Sequence, residues 1–292
     1  MSPAKSTTTS LAPDPAAGLQ VPWWHIVLLL ALFAVIYGPV LFGLIDDWNH
    51  DDNYSHGFLV IPISVFLIWQ KRKVLREITL DTCNWGLLLL AGSLVLLLVG
   101  VAGAEFYSTR VSMVGVLAGV VLYLTGWRFT REIWFPIAFL LFMIPVPYIL
   151  YYSATFPLQL FGSKVAAFVI GLLGIPHLRQ GNIIHLPDNY SLEVAEACSG
   201  LRSLVTLLAL AAILAYWTQK GKIKSIVLFL SAIPIAIGAN VFRITVTAVG
   251  AYGISRKIAE DFLHELSGTI VFLFSLVCLL ILSSILRAAR WK

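Results

Sequence analysis

The chain has 292 residues, of which 59% are hydrophobic and only 12% charged, and its mean hydropathy is +0.88. Soluble globular domains are nearer half apolar and a quarter charged, so this composition excludes an ordinary soluble enzyme and marks a membrane protein. The net charge of +5 resides in short Lys/Arg clusters between apolar runs, a pattern of membrane topology rather than nucleic-acid binding; three cysteines, Cys83, Cys198 and Cys278, exclude a disulfide framework.

Residues 1–22 are rich in Ser, Thr, Pro and Ala and are expected to form a disordered cytoplasmic N-terminus, with 23–292 as a single transmembrane domain. A spanning helix needs about 20 mainly apolar residues. The runs that qualify are 24–45, 57–70, 85–104, 111–127, 132–151, 200–217, 225–248 and 268–287. The first is too long for a signal-peptide core and lacks a small-residue cleavage site, so it is read as a retained anchor. A further run, Phe156–Ile175, carries Pro157, Gln159, Ser163 and Lys164 and is expected to be interfacial or re-entrant rather than spanning.

Four basic clusters follow alternate spans: Lys71, Arg72, Lys73 and Arg76; Arg128 and Arg131; Lys220, Lys222 and Lys224; and Arg287, Arg290 and Lys292. The positive-inside rule makes these cytoplasmic. The acidic loops, with Asp46, Asp47, Asp51 and Asp52 in one and Glu260, Asp261 and Glu265 in another, then face outward. The fold class expected is an all-α polytopic membrane protein with about eight transmembrane helices and both termini cytoplasmic. A short extracytoplasmic hairpin, about 179–197, precedes the sixth span. Ile183, Ile184 and Leu186, the Pro187-Asp188-Asn189 turn, then Leu192 and Val194 predict two strands there.

That hairpin leads into Glu196-Ala197-Cys198-Ser199-Gly200-Leu201-Arg202. A cysteine at a helix N-terminus meets the positive end of the dipole, which favours thiolate, and Arg202 follows one turn on. Cys83 and Cys278 read as structural. Arg243, in Asn240-Val241-Phe242-Arg243, sits near the outer end of the seventh span. An arginine at that depth is costly and should face the protein interior as an anion or oxyanion clamp; the plainer alternative is snorkelling to the interface. His264 lies on the charged face of an amphipathic helix entering the last span, beside Glu260 and Asp261; taken alone it reads equally as a solvated histidine. The topology puts thiol, guanidinium and imidazole at the outer ends of three spans, the parts of a cysteine acyl-transfer site.

These boxes, Cys-Ser-Gly-Leu-Arg-Ser at 198–203, Asn-Val-Phe-Arg at 240–243 and His-Glu-Leu-Ser-Gly at 264–268, together with Tyr54-Ser55-His56-Gly57-Phe58, resemble the bacterial exosortases over about residues 50–287. The resemblance implies Cys198 as nucleophile, forming an acyl-thioester, and makes Arg243 and His264 functional without dividing their roles: Arg243 is expected as oxyanion or charge stabiliser or proton donor, and His264 as acid/base or transition-state stabiliser. Arg202, Asn240, Ser199, Gly200 and His56 are expected to support them. It also implies the partners: exported, membrane-embedded proteins bearing a C-terminal Pro-Glu-Pro-type motif, a transmembrane helix and a basic tail, and an acceptor that the sequence does not identify. No cofactor, metal or nucleic acid is expected, and the location is the bacterial inner membrane with the site on the periplasmic face. Two other function classes draw on some of the same residues. A transporter or channel would use Arg243 as a pathway residue, but the chain shows no internal repeat. A metal-dependent protease would draw on His50, Asp51, Asp52 and His56, which lack metal-ligand spacing on a helix.

Overall fold

The computed structural model describes residues 23–51, 53–187, 190–193, 202–253 and 256–289, with only the backbone described at 202–203 and 256–267. Among them are nine α-helices and one small sheet. Six helical segments are long and apolar enough to cross a membrane: Trp23–His50, Trp85–Ala102, Phe106–Met143, Tyr148–Leu172, Lys222–Gly253 and Gly268–Ala288. Two shorter apolar helices accompany them, Gly57–Gln70 and Leu204–Thr218. The architecture is that of an all-α polytopic membrane protein. Two compact units are present, one drawn from Met1–Leu44 and Pro62–Ala138, the other from Ile45–Ile61 and Phe139–Lys292.

In the first unit, α1 (Trp23–His50) bonds to α5 (Phe106–Phe139) through Tyr37 Oη and Ser112 Oγ, 3.1 Å apart. Helix α4 (Trp85–Ala102) approaches α5 closely: a Cβ on Gly86 would lie 2.3 Å from the Tyr123 backbone nitrogen, and one on Gly119 2.8 Å from that of Leu90. Small residues are what permit such close helix packing inside a bilayer, where no hydrophobic drive separates protein from lipid. Helix α5 kinks at Gly126, whose φ of 79° favours glycine and whose Cα faces the Asp81 carbonyl. The kink falls near the end of the expected span 111–127, and residues 128–131, expected to separate it from 132–151, are helical. Helix α2 (Gly57–Gln70) continues into the short α3 (Arg72–Glu77). At that junction Lys71 Nζ pairs with Glu132 Oε2 at 2.9 Å and donates to the Glu132 carbonyl at 2.7 Å. The contact brings the basic clusters 71–76 and 128–131 to the same end of this unit.

The second unit is built on α7 (Arg202–Thr218), α8 (Lys222–Gly253) and α9 (Arg256–Ala288), which run alternately up and down. Leu207, Ala211 and Ala215 of α7, Leu228, Ala232 and Ala236 of α8, and Leu279 and Leu286 of α9 form their core. At the basic end, Thr218 Oγ1 bonds Ser283 Oγ (2.7 Å) and Lys224 Nζ donates to the Ala289 carbonyl (2.5 Å). The 220–224 and 287–289 segments therefore share one end of the bundle.

Two expected boundaries need correcting. The run 132–151 does not form one helix. A 3-10 turn, Leu140–Met143, ends it, and Tyr148 opens a separate 25-residue helix, α6 (Tyr148–Leu172). Pro145 and Pro147 cause the break, because neither offers an amide proton to continue the ladder. The hairpin before residue 198 is a three-stranded antiparallel meander rather than two strands: β1 (Leu178–Gln180), β2 (Ile183–Leu186) and β3 (Tyr190–Glu193). Its β2–β3 register pairs Ile183 with Glu193 and Leu186 with Tyr190; Asp188 and Asn189 of the expected turn lie outside the described residues. Strand β1 pairs Leu178 with His185 and Gln180 with Ile183.

Candidate functional site

The buried face of α8 changes character along its length. Leu228, Ala232 and Ala236 belong to the α7–α8–α9 core. Ile244 and Ala248 belong to a second core with Ala166, Ala167 and Ile170 of α6, Ile175, and Ile184, Leu186 and Leu192 of the sheet. Between these two apolar clusters lie Asn240 and Arg243, each only 5% exposed. They are three residues apart and so share a face. Arg243 is 21 residues from Lys222, about 31 Å along the axis, comparable to the hydrocarbon thickness of a bilayer. It faces the protein interior, as the cost of a lipid-facing arginine requires, rather than snorkelling. It is not a free cation, having interactions within the protein. Asn240 differs: its buried Oδ1 has no hydrogen-bond partner among the described residues.

The sheet that covers this stretch is fixed to α6 by polar contacts. Arg179 of β1 donates from Nε to Ser163 Oγ (3.1 Å) and from Nη2 to the Leu160 carbonyl (3.3 Å). Ser163 Oγ in turn donates to the Gly181 carbonyl at 3.0 Å. The strand missed from sequence, β1, thus carries the residue that anchors the sheet. Strand β3 packs on α8 and ends at Glu193; α7, which also packs on α8, begins at Arg202. These two elements flank residues 194–201. Cys198, Ser199 and Gly200 lie outside the described residues, as do the side chains of Arg202 and His264. Arg202 opens α7. His264 lies eight residues after the start of α9, in the part nearest the junction with α8, just as Arg243 lies ten residues before the end of α8.

His56 is placed by three elements. Its Nε2 lies 3.1 Å from the Phe142 carbonyl, an acceptor, so Nε2 carries the proton. Its Nδ1 is then the acceptor for the Thr206 hydroxyl of α7, at 3.2 Å. Burial pushes its pKa below the ordinary histidine value, the bonds to Phe142 and Asn53 opposing the shift. Trp48 and Tyr54 act alongside it: Trp48 Nε1 donates to the Met143 carbonyl (2.9 Å), and the Val146 amide donates to Tyr54 Oη (3.3 Å). Burial raises the Tyr54 pKa, as do Asp51 and Asp47, against the pull of the Val146 amide.

The proline break accounts for these bonds. The Met143 carbonyl would ordinarily accept from residue 147, and Pro147 has no N–H; the indole supplies the missing donor. The Phe142 carbonyl would accept from Val146, whose amide is taken by Tyr54; the imidazole supplies that one. Irregular backbone in a membrane protein must be satisfied by protein groups, and this is how it is done here. The Tyr-Ser-His-Gly box was legible as a motif, but its partners Phe142, Val146 and Thr206 carried no sequence signal. His50, grouped with His56 in sequence, turns instead to Asp46 Oδ1 at 3.1 Å.

Helices of this length and hydropathy define a multi-pass membrane protein. The family model for transmembrane exosortases matches residues 48–281, most of the chain. The chain therefore belongs to the transmembrane exosortase family, membrane-embedded enzymes of protein sorting whose substrates are themselves membrane-embedded proteins. No curated protein and no solved structure matches it.

Proposed function

We propose that this protein is a cysteine endopeptidase and transpeptidase that cleaves a C-terminal Pro-Glu-Pro-type sorting signal of exported proteins and passes them to an acceptor. In this reading both termini are cytoplasmic, eight helices span the inner membrane, and the site faces the periplasm. Cys198 thiolate attacks the carbonyl carbon of the scissile peptide bond. The C–N bond breaks, the departing amine takes a proton, and the exported protein is left as an acyl-thioester. A nucleophile of the acceptor then attacks the same carbon, the C–S bond breaks, and the thiolate is regenerated.

Arg243 stabilises the oxyanion and His264 handles the proton. An arginine stays charged throughout and cannot act as acid/base near neutrality, whereas an imidazole can. Arg202, Ser199, Gly200 and His56 support the nucleophile segment. The single observation that carries the reading is the buried Arg243 in the polar stretch of α8, the helix against which both elements flanking the Cys198 segment are packed.

The experiment is to trap the intermediate. Membranes co-expressing a signal-bearing substrate should yield a hydroxylamine-sensitive adduct of the two proteins. Cys198→Ala and Cys198→Ser should lose both adduct and processing at unchanged abundance, while Cys278→Ala should retain them. Processing that survives Cys198→Ala ends the proposal.

A further inference from the structure

We infer that Asn240 is a substrate-binding residue that accepts a hydrogen bond from a main-chain N–H of the substrate peptide next to the scissile bond. The inference rests on the peptide-sorting reading above and assigns a contact within it.

Three observations support it. The Asn240 side chain is only 5% exposed and its Oδ1 has no hydrogen-bond partner among the described residues, although a buried amide oxygen left unpaired is costly and such groups are rare in native proteins. It lies between two apolar cores, and the neighbouring residues of its stripe, Ala236, Ala239 and Ile244, carry no side-chain donor. And it is one turn from Arg243, so the buried stripe presents an acceptor oxygen and a guanidinium side by side.

The unpaired group is an acceptor, which selects a ligand that donates; an anion would be repelled by Oδ1. A peptide unit carries an N–H donor and a carbonyl acceptor, and so complements both Oδ1 and Arg243. An extended substrate segment held there would direct its N–H to Asn240 and a carbonyl oxygen toward Arg243, consistent with the oxyanion role proposed for the arginine. An unpaired buried oxygen costs stability that a bound N–H restores, the usual arrangement where a site gives up stability for function.

The test uses the full chain carrying Cys198→Ala, in nanodiscs, with a fluorescent synthetic peptide comprising a Pro-Glu-Pro motif, an apolar segment and a basic tail. Asn240→Leu is nearly isosteric and removes the unpaired oxygen. The expected result is roughly tenfold weaker peptide binding with an unfolding temperature unchanged or raised, since removing an unpaired buried polar group does not destabilise. Peptides N-methylated at one amide at a time should include one that binds the parent about tenfold more weakly yet suffers no further loss with Asn240→Leu, the signature of a shared contact. Unchanged binding by Asn240→Leu, or a lowered unfolding temperature, overturns the inference while leaving the sorting function intact. Failure of the parent to bind the peptide at all removes the sorting reading and this assignment together.

Discussion

His56 Nδ1 and Thr206 Oγ1, 150 residues apart in sequence, are joined by a 3.2 Å hydrogen bond in which the hydroxyl donates. Because His56 also bonds Phe142, the imidazole ties the proline break at 145–147 to the first turns of the helix that follows Cys198. Thr206→Val keeps the side-chain shape and removes the donor, leaving the part-buried Nδ1 without this bond. It should cost about 1–2 kcal/mol, and His56→Ala, which orphans the Phe142 carbonyl and the Thr206 hydroxyl, about 2–4 kcal/mol. The double variant should cost less than the sum, as read by thermal unfolding in detergent. Strict additivity would show that the two side chains do not act as a pair.

The same histidine predicts a pH dependence of stability. Its folded-state pKa lies below the ordinary value, so the unfolded chain binds a proton that the folded chain resists. Its contribution is intact above the unfolded-state value of about 6.5, is lost as pH falls below it, and levels off once pH passes below the folded-state value. The unfolding temperature of the wild type should therefore fall more between neutral and mildly acidic pH than that of His56→Gln. Parallel curves for the two proteins would contradict the assignment.

Gly57 gives a steric test of the clamp. A Cβ there would lie 2.3 Å from Trp48 Nε1, the atom that bonds the Met143 carbonyl. Gly57→Ala should displace the indole and destabilise by about 2–3 kcal/mol, despite the better helix propensity of alanine. Gly92 of α4 has nothing within 4 Å of such a Cβ. Gly92→Ala should accordingly be neutral or stabilising by up to about 1 kcal/mol. Equal effects at the two sites would mean that Trp48 does not constrain position 57.

Arg243 and His264 should fail differently. Arg243→Lys keeps the charge but loses the planar fork, and should lower processing on the order of 100-fold at every pH, as for loss of an oxyanion donor. His264→Gln should instead remove one limb of the pH–rate profile. The measurement is processing of a signal-bearing substrate across about pH 5 to 9. A shifted profile for Arg243→Lys with a merely scaled one for His264→Gln would reverse the two roles.

Orientation can be read chemically. The Lys71–Glu132 pair and the Lys224–Ala289 bond each gather basic segments at one end of a unit, the arrangement expected of a cytoplasmic face. A membrane-impermeant maleimide applied to intact spheroplasts should modify Cys198 and spare Cys83. The opposite pattern would invert the topology and remove the proposed mechanism.

Much of this protein was determined locally and so was legible in the sequence. Apolar run length marks membrane helices because each spanning helix must satisfy its own backbone in lipid, and the run Tyr54–Gly57 together with the boxes at 198, 240 and 264 carried the family. The interior orientation of Arg243 followed from the cost of a charge facing lipid. The run Pro187-Asp188-Asn189 announced the break between β2 and β3 through residues that favour turns. Other features were decided only by the tertiary structure, because they depend on partners far along the chain. Gly126 reads as one more small residue until the Asp81 carbonyl closes on it. Pro145 and Pro147 signal a break, but which donors replace the missing amides is settled by Trp48 and His56 arriving from another helix end. Strand β1 has no alternation of its own to betray it; pairing with β2 and the Arg179–Ser163 contact make it a strand. Asn240 was legible in sequence as part of the Asn-Val-Phe-Arg box, but only packing between two apolar cores shows that its oxygen is buried with no hydrogen-bond partner among the described residues.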